Sequence, residues 1–350
     1  MMGSRAIAAI LADRLAPGQP IRYTAHEMHE RIAEIIKEYE RIGITSHLGP
    51  EADAIGSLLA VKLILDSLGK KTYPVLRDPV PDSLKFLAGA SEMLSPIELK
   101  PDLIDVWFVV DCGQLSRVGE GLMQIIQGHK CVVNIDHHRG NPEFGHVNWV
   151  EITASTTMII YKLARLLDVE VTPALATCLY SGIIADTDSF RNSNTDAAVV
   201  EMASELLKLG ANAREVAVNL YESRSLGESR LIGYSLLNAQ VDDGIIWTSL
   251  SQRVFQDMGV TVNDTERLAE ELRSIADVKV ALLFKEMGNG KIKVSLRSKN
   301  GMDVSRVARL FGGGGHTQAA GCLVWGDLNE VESKVIGEIR KTIHQNERGV

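Results

Sequence analysis

The sequence predicts an α/β protein: a doubly wound, mainly parallel sheet domain followed by a smaller C-terminal α+β domain. Three observations carry this. Two apolar runs, 106–110 and 131–135, the second interrupted only by Asn134, each stop at an aspartate, Asp111 and Asp136. Strands apolar on both sides belong to parallel sheets covered by helices on each face. Segments of helical spacing alternate with such runs over roughly the first two hundred residues. Beyond residue 240 the pattern changes to strands, two of them joined by Gly288-Asn289-Gly290, a hairpin signal.

Thr24 with Glu27 forms a capping box ahead of Met28, Ile32, Ile35, Ile36 and Tyr39, which predicts the first helix. A short strand over 42–46 runs into the loop that carries His47, and a helix over 54–68 and a strand over 71–76 follow. The strands 106–110 and 131–135 come next, then helices over 155–167 and 174–185. Helical stretches 196–209 and 213–238 are polar enough for the second to serve as a connector, with a boundary near residue 240. Strands over 245–250, 278–285 and 291–297 and helices over 265–275, 304–311 and 328–343 complete the second unit. The division is a tail (1–24), a first domain (25–212), a helical connector (213–240) and a second domain (241–345).

A chain of 350 residues is long for one domain and suffices for two. With 45% hydrophobic and 23% charged residues it is an ordinary globular composition. The formal charge of −8 argues against a generic polyanion binder. A nucleic-acid ligand must be held by a local basic patch or by metals, which favours short single strands over stable duplex binding. Cys112, Cys131, Cys178 and Cys322 are scattered with no CxxC pair, so they read as buried, reduced thiols of a cytoplasmic protein. No apolar run approaches the ~18 residues of a membrane helix, so no membrane association is expected. Residues 1–15 carry Arg5, Asp13 and Arg14 and read as a tail or short amphipathic helix, with no signal peptide.

The chemistry concentrates at the ends of strands and helices, where open α/β sheets bind ligands. His47, Glu51 and Asp53 lie in a tight strand-to-helix loop; one imidazole and two carboxylates suit Mn²⁺, Fe²⁺ or Mg²⁺. The alternative is a surface loop with a capping aspartate. Asp111 ends a buried strand, where a carboxylate is costly unless paired, solvated or metal-bound; capping of the turn at Cys112-Gly113 is the rival. Asp136-His137-His138 supplies a carboxylate and two imidazoles pointing apart, so one can bind metal and the other a phosphate or a proton. Asp186 closes an apolar helix, with Asp188 as a cap for the next segment. Arg191-Asn192-Ser193-Asn194-Thr195 can reach phosphate or base, or is simply an N-capped loop. The run Gly312-Gly313-Gly314-Gly315-His316 precedes what reads as a small-residue helix and can cradle an anion at its N-terminus, with Arg297 and Lys299 nearby. The bland reading of the run is a flexible turn.

Asp136-His137-His138 together with the run from Gly312 to Gly321 resembles the DHH phosphoesterases that carry a DHH-associated C-terminal domain, in the RecJ-like superfamily. The resemblance spans about residues 25 to 345 and is strongest to standalone oligoribonucleases, which often also dephosphorylate 3′-phosphoadenosine 5′-phosphate. It implies an active site in the interdomain cleft with two divalent ions, Mn²⁺ foremost and Mg²⁺, Fe²⁺ or Co²⁺ as alternatives. By that resemblance one ion takes His47, Glu51 and Asp111, and the other takes Asp53, Asp111, His137 and Asp186. Asp111, His138 and Asp136 become the catalytic residues, with His138 on the scissile phosphate and Asp136 orienting the histidines. Arg297, Gly314, Gly315 and His316 would hold the terminal nucleotide, with Arg191 as a further substrate contact. The implied reaction is hydrolysis of short oligoribonucleotides by a metal-activated water. Rival readings are a cyclic di-AMP or linear pApA phosphodiesterase, an inorganic pyrophosphatase, and a nucleotide-binding regulator with an impaired metal site; a homodimer stays open. Two positions depart from the family pattern: Glu51, where aspartate is usual, and Asp188, where glycine is common.

Overall fold

The computed structural model describes residues 24–265, 268–299 and 302–348; the tail expected over 1–24 lies outside them except for Thr24. Two compact units divide between Ser223 and Arg224. The division falls inside the stretch read as a connector, and the single helix expected over 213–238 is in fact two. Its second half starts afresh because Ser225 and Glu228 form a capping box of their own.

In the first unit, α1 (Ala25–Glu38) starts at the expected Thr24–Glu27 capping box. Then come β1 (Arg41–Thr45), α2 (Ala52–Ser67), β2 (Lys71–Pro74), β3 (Val106–Val110), α3 (Glu120–Gln127), β4 (Val132–Asp136) and β5 (Val147–Val150). Helices α4 (Thr156–Leu166), α5 (Pro173–Asp186), α6 (Ala197–Lys208) and α7 (Ala213–Tyr221) complete it. The five strands pair in the order β2-β1-β3-β4-β5, every pair parallel. Alternate residues of β3 serve opposite faces: Val106, Phe108 and Val110 join the core under α1, α2, α4 and α5, while Trp107 and Val109 join the one under α3. That two-sided burial is why the strand reads as an unbroken apolar run. Strand β5 and helix α3 were not expected from the sequence; each is short, at 4 and 8 residues.

Helices α2 and α5 cross almost in backbone contact. A Cβ on Gly56 would stand 2.5 Å from the Cys178 carbonyl oxygen, so glycine is what permits the approach. All four cysteines are buried and free, and burial pushes the Cys112 and Cys178 thiols up to about 12, which removes them from nucleophilic chemistry.

The second unit contains α8 (Leu226–Leu237), β6 (Gln240–Asp242), β7 (Ile245–Leu250), α9 (Gln252–Met258), α10 (Leu268–Arg273), β8 (Val280–Gly288) and β9 (Lys291–Ser298). It continues with α11 (Val304–Leu310), β10 (Gly314–Gly315), β11 (Ala319–Trp325) and α12 (Leu328–Arg348). Its sheet runs β10-β11-β9-β8-β7-β6, with only β7 and β8 parallel. Gly288, Asn289 and Gly290 all take positive φ at the β8–β9 turn, the hairpin geometry their sequence signals. The segment expected as a small-residue helix after the glycine run is instead the strand β11, paired along its length with β9. Among the described residues, no helix is long and apolar enough to cross a membrane.

Candidate metal centre

In a sheet ordered 2-1-3-4-5 the connections leave β1 and β3 toward opposite faces, and the crevice between those strand ends is where such folds bind ligands. His47 stands two residues beyond β1, Asp111 directly follows β3, and Asp136 is the last residue of β4. Asp53 joins them from the first turn of α2, which begins at Ala52 and not at 54 as the sequence suggested. Asp186 comes from the last residue of α5. Asp111 takes φ +49°, a left-handed conformation that Asp and Asn tolerate better than most residues.

Asp111 is the hub. Its Oδ2 lies 3.5 Å from His47 Nε2, and its Oδ1 lies 3.5 Å from His137 Nε2. Glu51 Oε1 is 3.3 Å from His47 Nε2, so the longer side chain still reaches the cluster. Asp186 Oδ2 and Asp53 Oδ2 stand 3.3 and 3.8 Å from His137 Nε2. Two donor sets result, His47/Glu51/Asp111 and Asp53/Asp111/His137, each with ligand atoms within 4.8 Å of one another, and they share Asp111.

These residues fit a divalent cation. The Nδ1 atoms of His47 and His137 face the backbone carbonyls of Leu48 (2.9 Å) and Thr153 (3.2 Å), which assigns the ring proton to Nδ1. Each Nε2 then turns a lone pair toward carboxylate oxygens, an arrangement that needs a cation or a second ring proton. The buried Nε2 of His47 makes no hydrogen bond. Separations of 3.3 to 3.8 Å exceed those of charge-assisted hydrogen bonds. They lie closer to the edge of an octahedron with bonds of ~2.1 Å, about 3 Å. Oxygen and imidazole donors without thiolate favour Mn²⁺, Fe²⁺ or Mg²⁺.

Without a cation the cluster retains protons. Burial acts to lower the His47 pKa, but Glu51 and Asp111 overcome it and push the ring up to about 11. Burial, then the Asp111 charge, raises Asp53 to about 7 against the pull of His137 and two amides. Burial and the charges of Asp53 and Asp111 hold Asp186 well above the usual carboxylate range. Burial opposes ionisation of Asp111 too, yet the three surrounding histidines hold it below that range.

Supporting contacts fix the cluster. The Thr156 and Thr157 amides at the start of α4 donate to Asp53 at 2.7 and 3.1 Å, so Asp53 satisfies orphan donors of another helix. The Thr156 hydroxyl donates to Asp111 Oδ1 at 2.9 Å. His138 Nδ1 lies 2.6 Å from Asp136 Oδ1, and Asn141 donates to Asp136 Oδ2 at 2.5 Å. Asp136 therefore orients His138, whereas His137 takes its orientation from a backbone carbonyl.

Sequence reasoning missed Thr156, Asn141 and Gly182, whose roles exist only in three dimensions. A Cβ on Gly182 would stand 2.5 Å from Asp53 Oδ1 and 2.6 Å from the Thr157 hydroxyl oxygen. Gly182→Ala is expected to cost about 1–3 kcal/mol and to weaken Mn²⁺ binding, read by thermal denaturation and a metal titration. Unchanged values in both would contradict this account of the packing.

Asp188, Ser189 and Phe190 form a left-handed run, with φ of +48°, +56° and +65°. That geometry is why glycine suits position 188. Asp188 holds the exposed Arg191 at 2.6 Å, so the guanidinium expected on substrate is engaged with its neighbour here. Asn192 and Asn194 donate to the Asp186 carbonyl and secure the end of α5.

The glycine run of the second unit is largely explained by backbone geometry. Gly312, at φ +73°, and Gly313 donate to the Arg309 and Ala308 carbonyls and close α11 in a Schellman arrangement. A Cβ on Gly313 would stand 2.1 Å from the Gly321 carbonyl oxygen. The residues after this loop form the strand β11 and not a helix, so the expectation of an anion site at the N-terminus of a following helix is corrected. Gly314, Gly315 and His316 are exposed, and Arg297 is paired with Glu270 at 2.5 Å. Lys299 donates to the Ile275 carbonyl.

Residues 41–183 match the DHH family, N-terminal domain, and residues 245–345 match the DHHA1 domain. The bifunctional oligoribonuclease and PAP phosphatase NrnA of Thermus thermophilus is 33% identical over 315 residues, 89% of this chain and 93% of that protein. The protein of the same name from Bacillus subtilis is 26% identical, covering 85% of this chain and 94% of its own. Among solved structures, an exopolyphosphatase-related protein from Bacteroides fragilis superposes with a TM-score of 0.84 at 25% identity, covering 93% of this chain and 98% of that one. The chain is a phosphoesterase, a hydrolase of phosphate esters. The chain belongs to the DHH family, with a DHHA1 domain at its C-terminal side.

Proposed function

We propose that the protein hydrolyses short oligoribonucleotides to mononucleotides and removes the 3′-phosphate of 3′-phosphoadenosine 5′-phosphate. The observation that carries the reading is the pair of donor sets sharing Asp111 at the sheet's switch point; the similarity to oligoribonucleases supports the substrate class. His47, Glu51 and Asp111 would hold one divalent ion, and Asp53, Asp111, His137 and Asp186 the other. When bound, such ions lower the pKa of water and offset charge on phosphate oxygens. The chain's own contribution is placement. Burial acts to lower the His138 pKa, but Asp136 and Asp111 raise it, so the ring that Asp136 holds by Nδ1 donates, when protonated, from Nε2 toward a non-bridging phosphate oxygen. Hydrogen bonds from Thr156 and Thr157 of α4 hold Asp53 and Asp111 in place. Arg297, Gly314, Gly315 and His316 would take the terminal nucleotide, and Arg191 would contact substrate only on leaving Asp188. The test is a comparison of kcat/KM for pApA, 3′-phosphoadenosine 5′-phosphate and cyclic di-AMP with one preparation. The reading expects pApA to lead; preference for cyclic di-AMP would replace it.

A further inference from the structure

The outward faces of β9 and β11 differ from the rest of this acidic chain. Ile292, Val294 and Leu296 of β9 and Ala320 and Cys322 of β11 point into the core of the second unit. The alternate residues therefore share the opposite face. At its far end these are Lys291, Lys293 and Ser295 on β9, paired with Trp325, Leu323 and Gly321 on β11. None of the six is acidic, although the chain carries a net charge of −8.

Trp325 is 64% exposed and Leu323 48%, whereas Trp107, Trp149 and Trp247 are buried. The Lys291 ammonium sits 4.7 Å from the centre of the Trp325 ring, a cation–π pair that steadies the indole while it remains largely open to solvent. An exposed indole beside lysines is the pairing that binds single-stranded nucleic acid, the ring stacking on a base and the ammonium groups facing phosphates. A duplex cannot offer an unstacked base. The strip runs about 13 Å along β11, from Gly321, which pairs with Gly314, to Trp325, at about 3.3 Å per residue.

We propose that this strip is an accessory docking surface for single-stranded RNA, with a base stacked on Trp325 and phosphates against Lys291 and Lys293. It rests on the short-oligoribonucleotide reading and adds to it a contact that only substrates longer than a dinucleotide reach. The strip thus favours retention of oligomers of several nucleotides while leaving pApA indifferent to it.

Kinetics of Trp325→Ala and Trp325→Phe with pApA and with 5′-phosphorylated pentaadenylate test the proposal. The expected result is a rise of about tenfold in KM for the pentamer with Trp325→Ala, kcat/KM for pApA within about twofold of the parent, and most of the pentamer affinity kept by Trp325→Phe. Unchanged pentamer kinetics, or an equal loss on both substrates, would overturn it. Sedimentation of the same variants covers the competing occupant: loss of a dimer with Trp325→Ala, without a change in pentamer KM, would make the strip a contact between copies of this chain. A fluorescence titration separates this inference from the reading beneath it. In the Asp111→Asn chain, where turnover is blocked, pentaadenylate should quench the indole and AMP should not. Quenching with no cleavage of either substrate by the parent would sink the hydrolase reading alone, and cleavage with no quenching would sink the strip alone.

Discussion

Asp111→Asn is expected to lower kcat/KM for pApA by about a thousandfold or more while leaving the fold intact. The substitution isolates the charge, because asparagine keeps the side-chain shape and tolerates the φ of +49° at this position. Alanine would add backbone strain to the loss of the carboxylate. Asp111 is the shared member of both donor sets and faces His47, His137 and His138, so no neighbour can take its place. Circular dichroism and a thermal melt check the fold, and the parent's stabilisation by Mn²⁺ should disappear. Activity within tenfold of the parent would mean that the hub has been wrongly placed.

The metal-free protein should lose stability as pH rises from about 5 to 8, and Mn²⁺ should restore it. Asp53 is carried from 3.8 to about 7 in the folded chain, by burial and by Asp111. A group with a raised folded pKa stabilises fully below its unfolded value, and that contribution is lost as pH rises through the folded one. For Asp53 the contribution at stake is on the order of 4 kcal/mol. Asp186, also raised, adds in the same direction. His47, at about 11, extends the trend above neutrality. Asp111, whose pKa is lowered, acts only in the acid range below this window. Cation binding must displace the retained protons, so Mn²⁺ affinity should strengthen with pH. Calorimetry at pH 6.5 in two buffers of different ionisation enthalpy should show proton release; none would contradict the electrostatic account.

What was legible in the sequence was whatever depends on local pattern. The strand 106–110 coincides with β3 because burial on both faces leaves an apolar run that stops where the carboxyl end meets the site. Thr24–Glu27 is a capping box in the structure as in the sequence. His47, Glu51, Asp53, Asp111, His137 and Asp186 come together in one cluster. What escaped was whatever depends on neighbours distant in sequence. Ala319-Ala320-Gly321 reads as helix because alanine favours it, yet pairing with β9 decides otherwise. The glycines at 312 and 313 advertise an anion loop, but their amides are used to end α11. Gly182 and Thr156 carry no local signal; their value lies in contact with Asp53 and Asp111. The pairing of Arg191 with Asp188 and of Arg297 with Glu270 could not be foreseen from charge alone.

The most direct test of the central claim is the product profile of the purified protein with Mn²⁺ and pApA. The account predicts AMP as the product, formed in proportion to enzyme and abolished by a chelator. Mn²⁺ bound to the chain with pApA left intact would contradict it.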